Sequence, residues 1–216
     1  MNAVPGNKVL FVDDEPCMRE IMAMLLNEEG YEVLTASDGI DALAQLRSAT
    51  PDLIISDLSM PRMSGLELLS VVRSRFPAIP VIAISESYEI RGSLPPGVMA
   101  DTFYPKGRCN PDELLRTVAD LIRTPVTRPT YHLPSRPPAV QLARAASDST
   151  GDALLMLTCS DCLRAFSLDT SLENPDVQEA HCPFCAAPVS FVTDASPEHA
   201  SRTMLDAWTA ASPSAI

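Results

Sequence analysis

The chain is short of positive charge where a nucleic-acid binder would carry it. Its 16 Lys and Arg stand against 28 Asp and Glu, a formal net charge of −12. Residues 1–123 contribute −7 (11 basic, 18 acidic), residues 124–150 contribute +2 (three basic, one acidic) and residues 151–216 contribute −7 (two basic, nine acidic). Gripping a phosphate backbone requires cationic contacts, so nucleic acid is disfavoured as a ligand of either end. Aromatic side chains for base stacking are also sparse: the last third offers Phe166, Phe184, Phe191 and Trp208. No apolar run reaches the roughly 20 residues of a membrane span. The opening "MNAVPGNKVLFV" lacks the charged, apolar and small segments of a signal peptide. The expectation is a cytoplasmic protein with no membrane partner. Thiols stay reduced there, so clustered cysteines favour a metal over disulfides.

What the chain does contain, over residues 1–124, is an alternation of strand and helix patterns. "KVLFVD" (8–13), "EVLTA" (32–36), "DLIISD" (52–57), "PVIAIS" (80–85) and "DTFYP" (101–105) are short apolar runs of the kind buried on both faces of a sheet. Between them, Met18, Ile21, Met22, Leu25 and Leu26, then Ile40, Leu43 and Leu46, then Leu66, Leu69 and Val72 recur at helical spacing. The last helix has Asn110 as cap, Pro111 in its first turn and Glu113 placed to reach back, with Leu115, Val118, Ala119 and Ile122 on one face. Five such units predict an α/β fold, a doubly wound five-stranded parallel sheet covered by helices on both faces.

In that architecture chemistry gathers at the carboxyl ends of the strands. Those ends carry Asp13 and Asp14, Asp57, Ser85 and Lys106. Three adjacent carboxylates repel one another unless a cation joins them, and a hard divalent ion such as Mg²⁺ suits oxygen ligands. A hydroxyl and an ammonium beside them can hold the oxygens of a phosphoryl group. The segments "FVDDEP", "DLIISDLSMPRMSG", "VIAIS" and "FYPK" together resemble the receiver domain of bacterial two-component response regulators over about residues 7–123. The resemblance implies a flavodoxin-like domain in which Asp57 accepts a phosphoryl group from a histidine kinase or phosphotransfer protein. It also implies that Asp14 and Asp57 bind Mg²⁺ directly, Asp13 through water and Ser59 through its backbone carbonyl. Ser85 would be the switch hydroxyl, Lys106 the phosphoryl-pairing ammonium and Phe103 the switch aromatic. Such a domain catalyses its own phosphotransfer and is not a dedicated enzyme.

Three features depart from that family pattern. Lys106 is followed by Gly107 and preceded by Pro105, where a Lys-Pro turn is usual. Glu86 follows the switch hydroxyl, where a small residue is usual. Pro95, Pro96 and Gly97 interrupt the segment of the fourth helix, which predicts an atypical output face.

Residues 125–150 are expected to be a proline-rich linker, semi-rigid and extended, with a brief helix in "AVQLARAAS". Residues 151–195 follow with Cys159, Cys162, Cys182 and Cys185 in the spacing C-x₂-C-x₁₉-C-x₂-C. Two residues between cysteines let one tight turn aim both sulfurs at a tetrahedral ion, so the pattern predicts a structural Zn²⁺ site. "ALLMLTC" and "PVSFV" flank the pairs as hairpin strands, and the segment resembles a zinc ribbon. The alternatives are a pair of redox dithiols or a degenerate ribbon without metal. His181 adjoins a ligand and is expected beside the metal or exposed, while Cys17 and Cys109 stand alone. Residues 196–216 are expected to hold a short helix with Met204, Leu205 and Trp208 as its apolar stripe.

These elements predict a phosphorylation-controlled regulator whose ribbon binds an unknown protein partner. The alternatives are a transcriptional regulator whose ribbon touches DNA, helped by Arg128, Arg136 and Arg144, or an adaptor in phosphate flow, including a degenerate receiver. No helix-turn-helix pattern follows residue 124. No recognisable phosphoryl-accepting histidine motif surrounds His132, His181 or His199, so kinase chemistry is not expected there.

Overall fold

The computed structural model describes residues 6–86, 100–108, 110–124, 140–147, 153–168 and 174–193. The expected fourth-helix segment with its prolines, the stretch 125–139 and the Met204–Leu205–Trp208 stripe lie outside the described residues.

Strands β1 (Lys8–Val12), β2 (Glu32–Ala36), β3 (Leu53–Asp57), β4 (Val81–Ser85) and β5 (Thr102–Pro105) form one sheet in the order β2-β1-β3-β4-β5. All of its pairs are parallel. Helices α1 (Pro16–Glu28), α2 (Gly39–Ser48), α3 (Gly65–Arg75) and α4 (Pro111–Arg123) connect or follow the strands. The doubly wound fold expected from the sequence is the one observed.

Alternate residues of each strand face opposite layers. Leu10, Val12, Ile54, Val81 and Ala83 pack with α2 and α3, while Val9, Phe11, Leu53, Ile55, Ile82 and Ile84 pack with Met22 and Leu26 of α1 and Leu114 and Val118 of α4. That two-sided burial is why the strands read as unbroken apolar runs. The register aligns Val12 with Ser56, Asp57 with Ile84 and Ser85 with Pro105, so the polar residues that end these strands share one edge.

The helix starts are set by side chains. Asp38 accepts from the Asp41 N–H at 2.9 Å to cap α2. Ser64 and Glu67 form a full capping box on α3, with the Glu67 carboxylate accepting from the Ser64 N–H at 2.9 Å. For α4, Asn110 Oδ1 accepts from the Asp112 N–H at 2.9 Å, so the asparagine side chain caps at the second helical residue.

Gly65, the first residue of α3, allows the helix to abut the end of β3. A Cβ there would lie 1.9 Å from the Asp57 carbonyl oxygen, so backbone must move to admit it. Gly65→Ala is expected to destabilise the domain by about 1–3 kcal/mol, the usual cost of overpacking, read as a lower denaturant midpoint.

The cysteine-bearing part is all β. Strands β6 (Val140–Leu142), β7 (Arg144–Ser147), β8 (Ala153–Thr158), β9 (Ala165–Leu168), β10 (Asn174–His181) and β11 (Pro188–Thr193) make two three-stranded sheets, β10-β11-β6 and β7-β8-β9. This corrects the expected organisation at one point. The segment read as linker with a brief helix supplies β6, paired with β11, and β7, paired with β8. The strands satisfy backbone groups on β11 and β8 that would otherwise be sheet edges, and that gain outweighs the helical preference of an alanine-rich stretch. Ala143, between them, is buried with Leu155, Leu157, Phe166, Val189 and Phe191. No helix among the described residues is long and apolar enough to cross a membrane.

Candidate functional site

The aligned strand ends bring Asp13, Asp14 and Asp57 together, with carboxylate oxygens within 4.8 Å of one another. Asp13 and Asp57 are buried, and Asp14 is exposed. The Asp13 Oδ1 accepts from the Glu15 N–H at 3.0 Å, which fixes the turn after β1. Arg19 of α1 donates to the carbonyls of Asp13 and Asp14 at 2.7 and 2.9 Å. The Ser59 N–H donates to Asp57 Oδ1 at 3.0 Å, and Lys106 Nζ donates to Asp57 Oδ2 at 2.7 Å.

Lys106 also lies 2.9 Å from Asp13 Oδ2 as an ion pair. The contact lacks hydrogen-bond alignment, and this buried oxygen has no hydrogen-bond partner among the described residues. Burial works against the Lys106 ammonium, but the hydrogen bond to Asp57 and the attraction of the Asp57 and Asp13 carboxylates outweigh it and hold its pKa above the ordinary lysine value. Burial likewise opposes ionisation of Asp57 and holds its carboxyl above the usual carboxylate range, although the Lys106 and Ser59 hydrogen bonds work the other way. Three carboxylates and one ammonium sum to −3 + 1 = −2, the charge a single divalent cation would cancel. The buried Asp13 oxygen that has no aligned donor, and the all-oxygen donor set, fit Mg²⁺.

The four cysteines form a second cluster, again within 4.8 Å. Each pair sits in a six-residue loop, 159–164 between β8 and β9 and 182–187 between β10 and β11. The loops share one hydrogen-bond scheme. The Leu163 N–H donates to the Cys159 carbonyl and the Ala186 N–H to the Cys182 carbonyl, both at 2.9 Å. The Cys159 N–H donates to the Arg164 carbonyl and the Cys182 N–H to the Ala187 carbonyl, also at 2.9 Å. Backbone N–H groups of Asp161 and Phe184 donate to Cys159 Sγ and Cys182 Sγ at 3.4 Å.

Across the loops, Cys159 Sγ lies 3.5 Å from Cys185 Sγ, and Cys162 Sγ lies 3.6 Å from Cys182 Sγ. A tetrahedral ion with bonds of about 2.3 Å needs sulfurs about 3.8 Å apart, so the cage fits Zn²⁺. Burial pushes the Cys159 thiol up to about 12. Burial acts the same way on Cys182, but the N–H donors of Phe184 and Cys185 overcome it and bring that thiol down to about 7. His181 is exposed at the end of β10.

A family model described as the response regulator receiver domain matches residues 9–93. The chain carries a response regulator receiver domain. The receiver is 37% identical over 121 residues to the "Probable transcriptional regulatory protein TcrX" of Mycobacterium tuberculosis, a match covering 55% of this chain and 51% of that protein. It is 42% identical over 80 residues to the Regulator of RpoS of Escherichia coli K12, covering 37% of this chain and 24% of that protein. The matches thus span about half or less of these relatives. Among solved structures, the receiver domain of the Francisella response regulator 1452 is similar, with 28% identity, a TM-score of 0.50, and coverage of 54% of this chain and 97% of that one.

Around the receiver's acidic cluster, Ser85 is fully buried at the end of β4, next to the strand that carries Asp57. Phe103, on β5, is partly buried against the α2–α3 layer. Ser59 and Glu86 are exposed. No peptide bond among the described residues is cis, and Lys106–Arg108 form a 3-10 turn where the family's Lys-Pro is replaced by Lys-Gly.

The structure adds residues around the receiver site that the sequence did not single out. Arg62, at φ 62, forms an ion pair with the buried Asp38 and so ties the loop after Asp57 to the cap of α2. Arg73 of α3 pairs with Asp101 at 2.9 Å, and Asp101 also accepts from the Val81 N–H at 2.7 Å, joining α3, β4 and the start of β5. A single Arg or Asp outside an apolar stripe gives no periodic signal, so only the fold reveals these pairs.

Proposed function

We propose that this two-component response regulator accepts a phosphoryl group on Asp57 with Mg²⁺ and passes the signal through a zinc-closed, protein-binding module. The single observation that supports this most is the buried Lys106 ammonium, 2.7 Å from Asp57 and 2.9 Å from Asp13, in a cluster that the exposed Asp14 completes. In this reading Asp57 Oδ attacks the phosphorus of a phosphohistidine on a kinase or phosphotransfer protein. The new O–P bond forms as the N–P bond breaks, and its electron pair leaves with the imidazole. Asp13, Asp14, Asp57 and the Ser59 carbonyl would hold Mg²⁺, which supplies charge neutralisation when bound. In this reading Lys106 follows the transferred oxygens and Ser85 hydrogen-bonds them, so the added charge is compensated in one arrangement of β4 and its loop. The domain acts once, on its own carboxylate, and is not a dedicated enzyme.

All four thiolates are consumed by one tetrahedral ion, which leaves no open position for a catalytic water and supports a structural cage. The acidic surroundings of that cage support a protein partner over nucleic acid. Incubation with a small acyl phosphate is expected to add one phosphoryl group per chain with Mg²⁺ and none with excess EDTA, read by intact mass. A gain that ignores EDTA would overturn the metal-assisted reading. Binding to random duplex DNA is expected to be negligible at physiological salt. Tight binding that weakens steeply with salt would overturn the protein-binding output.

A further inference from the structure

The middle of helix α3 is buried on every side. Residues 67–72 are all buried, and six successive helical positions point in all directions around the axis. A helix lying on one face of a sheet normally buries a single stripe, as α4 does with Leu114, Val118 and Ala119. The sheet and α2 cover part of α3. The cysteine module covers more of it: β6 lies against α3. Leu163 of the first cysteine loop is 6% exposed and belongs to the same apolar cluster as Leu68, Leu69, Val71, Val72, Met60 and Met63.

The cage itself does not explain a leucine at position 163. Leu163 has φ 58, and its counterpart in the second loop, Ala186, has φ 59 with the same hydrogen bonds. Left-handed backbone is unfavourable for a non-glycine residue. Alanine serves the turn equally well and is exposed in the second loop. The large apolar side chain of Leu163 is accounted for by what it covers on the receiver.

The covered helix also abuts the phosphoacceptor. Gly65 has no room for a Cβ against the Asp57 carbonyl, and its N–H donates to the Leu58 carbonyl at 3.1 Å. The loop between them carries Ser59, whose N–H holds Asp57 Oδ1, and Met60 and Met63, which share the Leu163 cluster. A group added to an Asp57 oxygen takes over donors that now hold the carboxylate, and the loop leading into α3 is anchored by the Ser59 and Gly65 N–H groups, with the helix end already tight against Asp57.

We infer that the outer face of α3 is the docking surface for this chain's own first cysteine loop, and that phosphorylation of Asp57 weakens the docking and frees the module. The inference rests on the proposed roles of Asp57 and the zinc cage. Coupling of this kind is reciprocal, so a docked module also disfavours the phosphorylated state.

The test is hydrogen–deuterium exchange of the full, zinc-loaded chain, followed on peptides covering 66–75 and 155–168. Leu163→Ala, which copies the second loop, should keep one zinc per chain and speed exchange in both peptides about fivefold, the low end of typical couplings. Mg²⁺ with beryllofluoride, which mimics a phosphoryl group on aspartate, should do the same in the wild type and add nothing in Leu163→Ala. Unchanged exchange in zinc-loaded Leu163→Ala would overturn the docking surface. Unchanged exchange in wild type with a bound-beryllofluoride ¹⁹F signal would overturn the coupling alone. Absence of that signal would instead overturn the phosphoacceptor reading, and the coupling with it. Absence of zinc would overturn the cage.

Discussion

Asp57→Ala is expected to abolish phosphorylation outright, while the wild type gains one phosphoryl group per chain from the same donor. The substitution removes the nucleophile and also rewires the charge around it. Asp13 would be left as the remaining buried anion near Lys106, since Asp14 is exposed. The ammonium would then face one close carboxylate instead of two, and the oxygen set for a divalent ion would shrink from three carboxylates to two. Asp57→Asn separates these effects. The amide oxygen can still accept from Lys106 or the Ser59 N–H, so the fold should be nearly unperturbed, yet the nucleophilic charge is gone. Intact-mass analysis of both variants checks the point, and a full phosphoryl gain in either would sink the assignment. Lys106→Met should slow the transfer by about 10²-fold, the scale seen when one preorganised charge donor is removed from a reacting oxygen.

Stripping the metal is expected to unfold the cysteine module while leaving the receiver folded. The module's core is small: Ala143, Leu155, Leu157, Phe166, Val189 and Phe191, with Cys159 and Cys182 themselves among the buried residues. Structural zinc contributes about 10–16 kcal/mol of apparent binding energy in isolated zinc fingers, more than such a core can replace. Cys159→Ser and Cys182→Ser should each drop zinc from one per chain towards none. Amide protection in β8–β11 should fall with it and that in β1–β5 should remain. Acid should favour the metal-free form, because ligation needs thiolates. In the free cage Cys182 is held down to about 7, whereas Cys159 is pushed up to about 12 and ionises only as metal arrives. Elemental analysis across a pH series follows the loss. Zinc-free protein with intact β8–β11 protection would refute the structural role.

The parallel sheet was legible in the sequence because its strands are buried on both faces and read as unbroken apolar runs. The acidic edge was legible because strand ends are where such folds place polar chemistry, and "FVDDEP" and "SDLSMPRMSG" mark two of those ends. Other features were hidden for identifiable reasons. The Leu66, Leu69 and Val72 stripe suggested one buried face for α3, but the whole stretch 67–72 is covered. Periodicity reports how a helix meets its own sheet and is silent on a second surface that closes over it. The Ser64–Glu67 capping box was written in the sequence as S-x-x-E and was overshadowed by the more conspicuous Asn110–Pro111 start of α4. Leu163 and Ala186 adopt left-handed backbone although neither is glycine or asparagine, the types that advertise it. Strands β6 and β7 are only three and four residues long, and β6 pairs with β11, far along the chain, where Val140 aligns with Ser190.

The placement of β6 and β7 changes where the molecule can be cut. A fragment beginning at residue 151, the boundary that the proline-rich composition suggests, would lose the strand that pairs with β11 and the strand that pairs with β8. Each of its two sheets would be a bare hairpin with a newly opened edge, a template for pairing with other copies. The cysteine module as an independent piece therefore starts before Val140. The chain passes through both of the module's sheets before it reaches the first cysteine, so the connection from the receiver is itself part of the module's architecture.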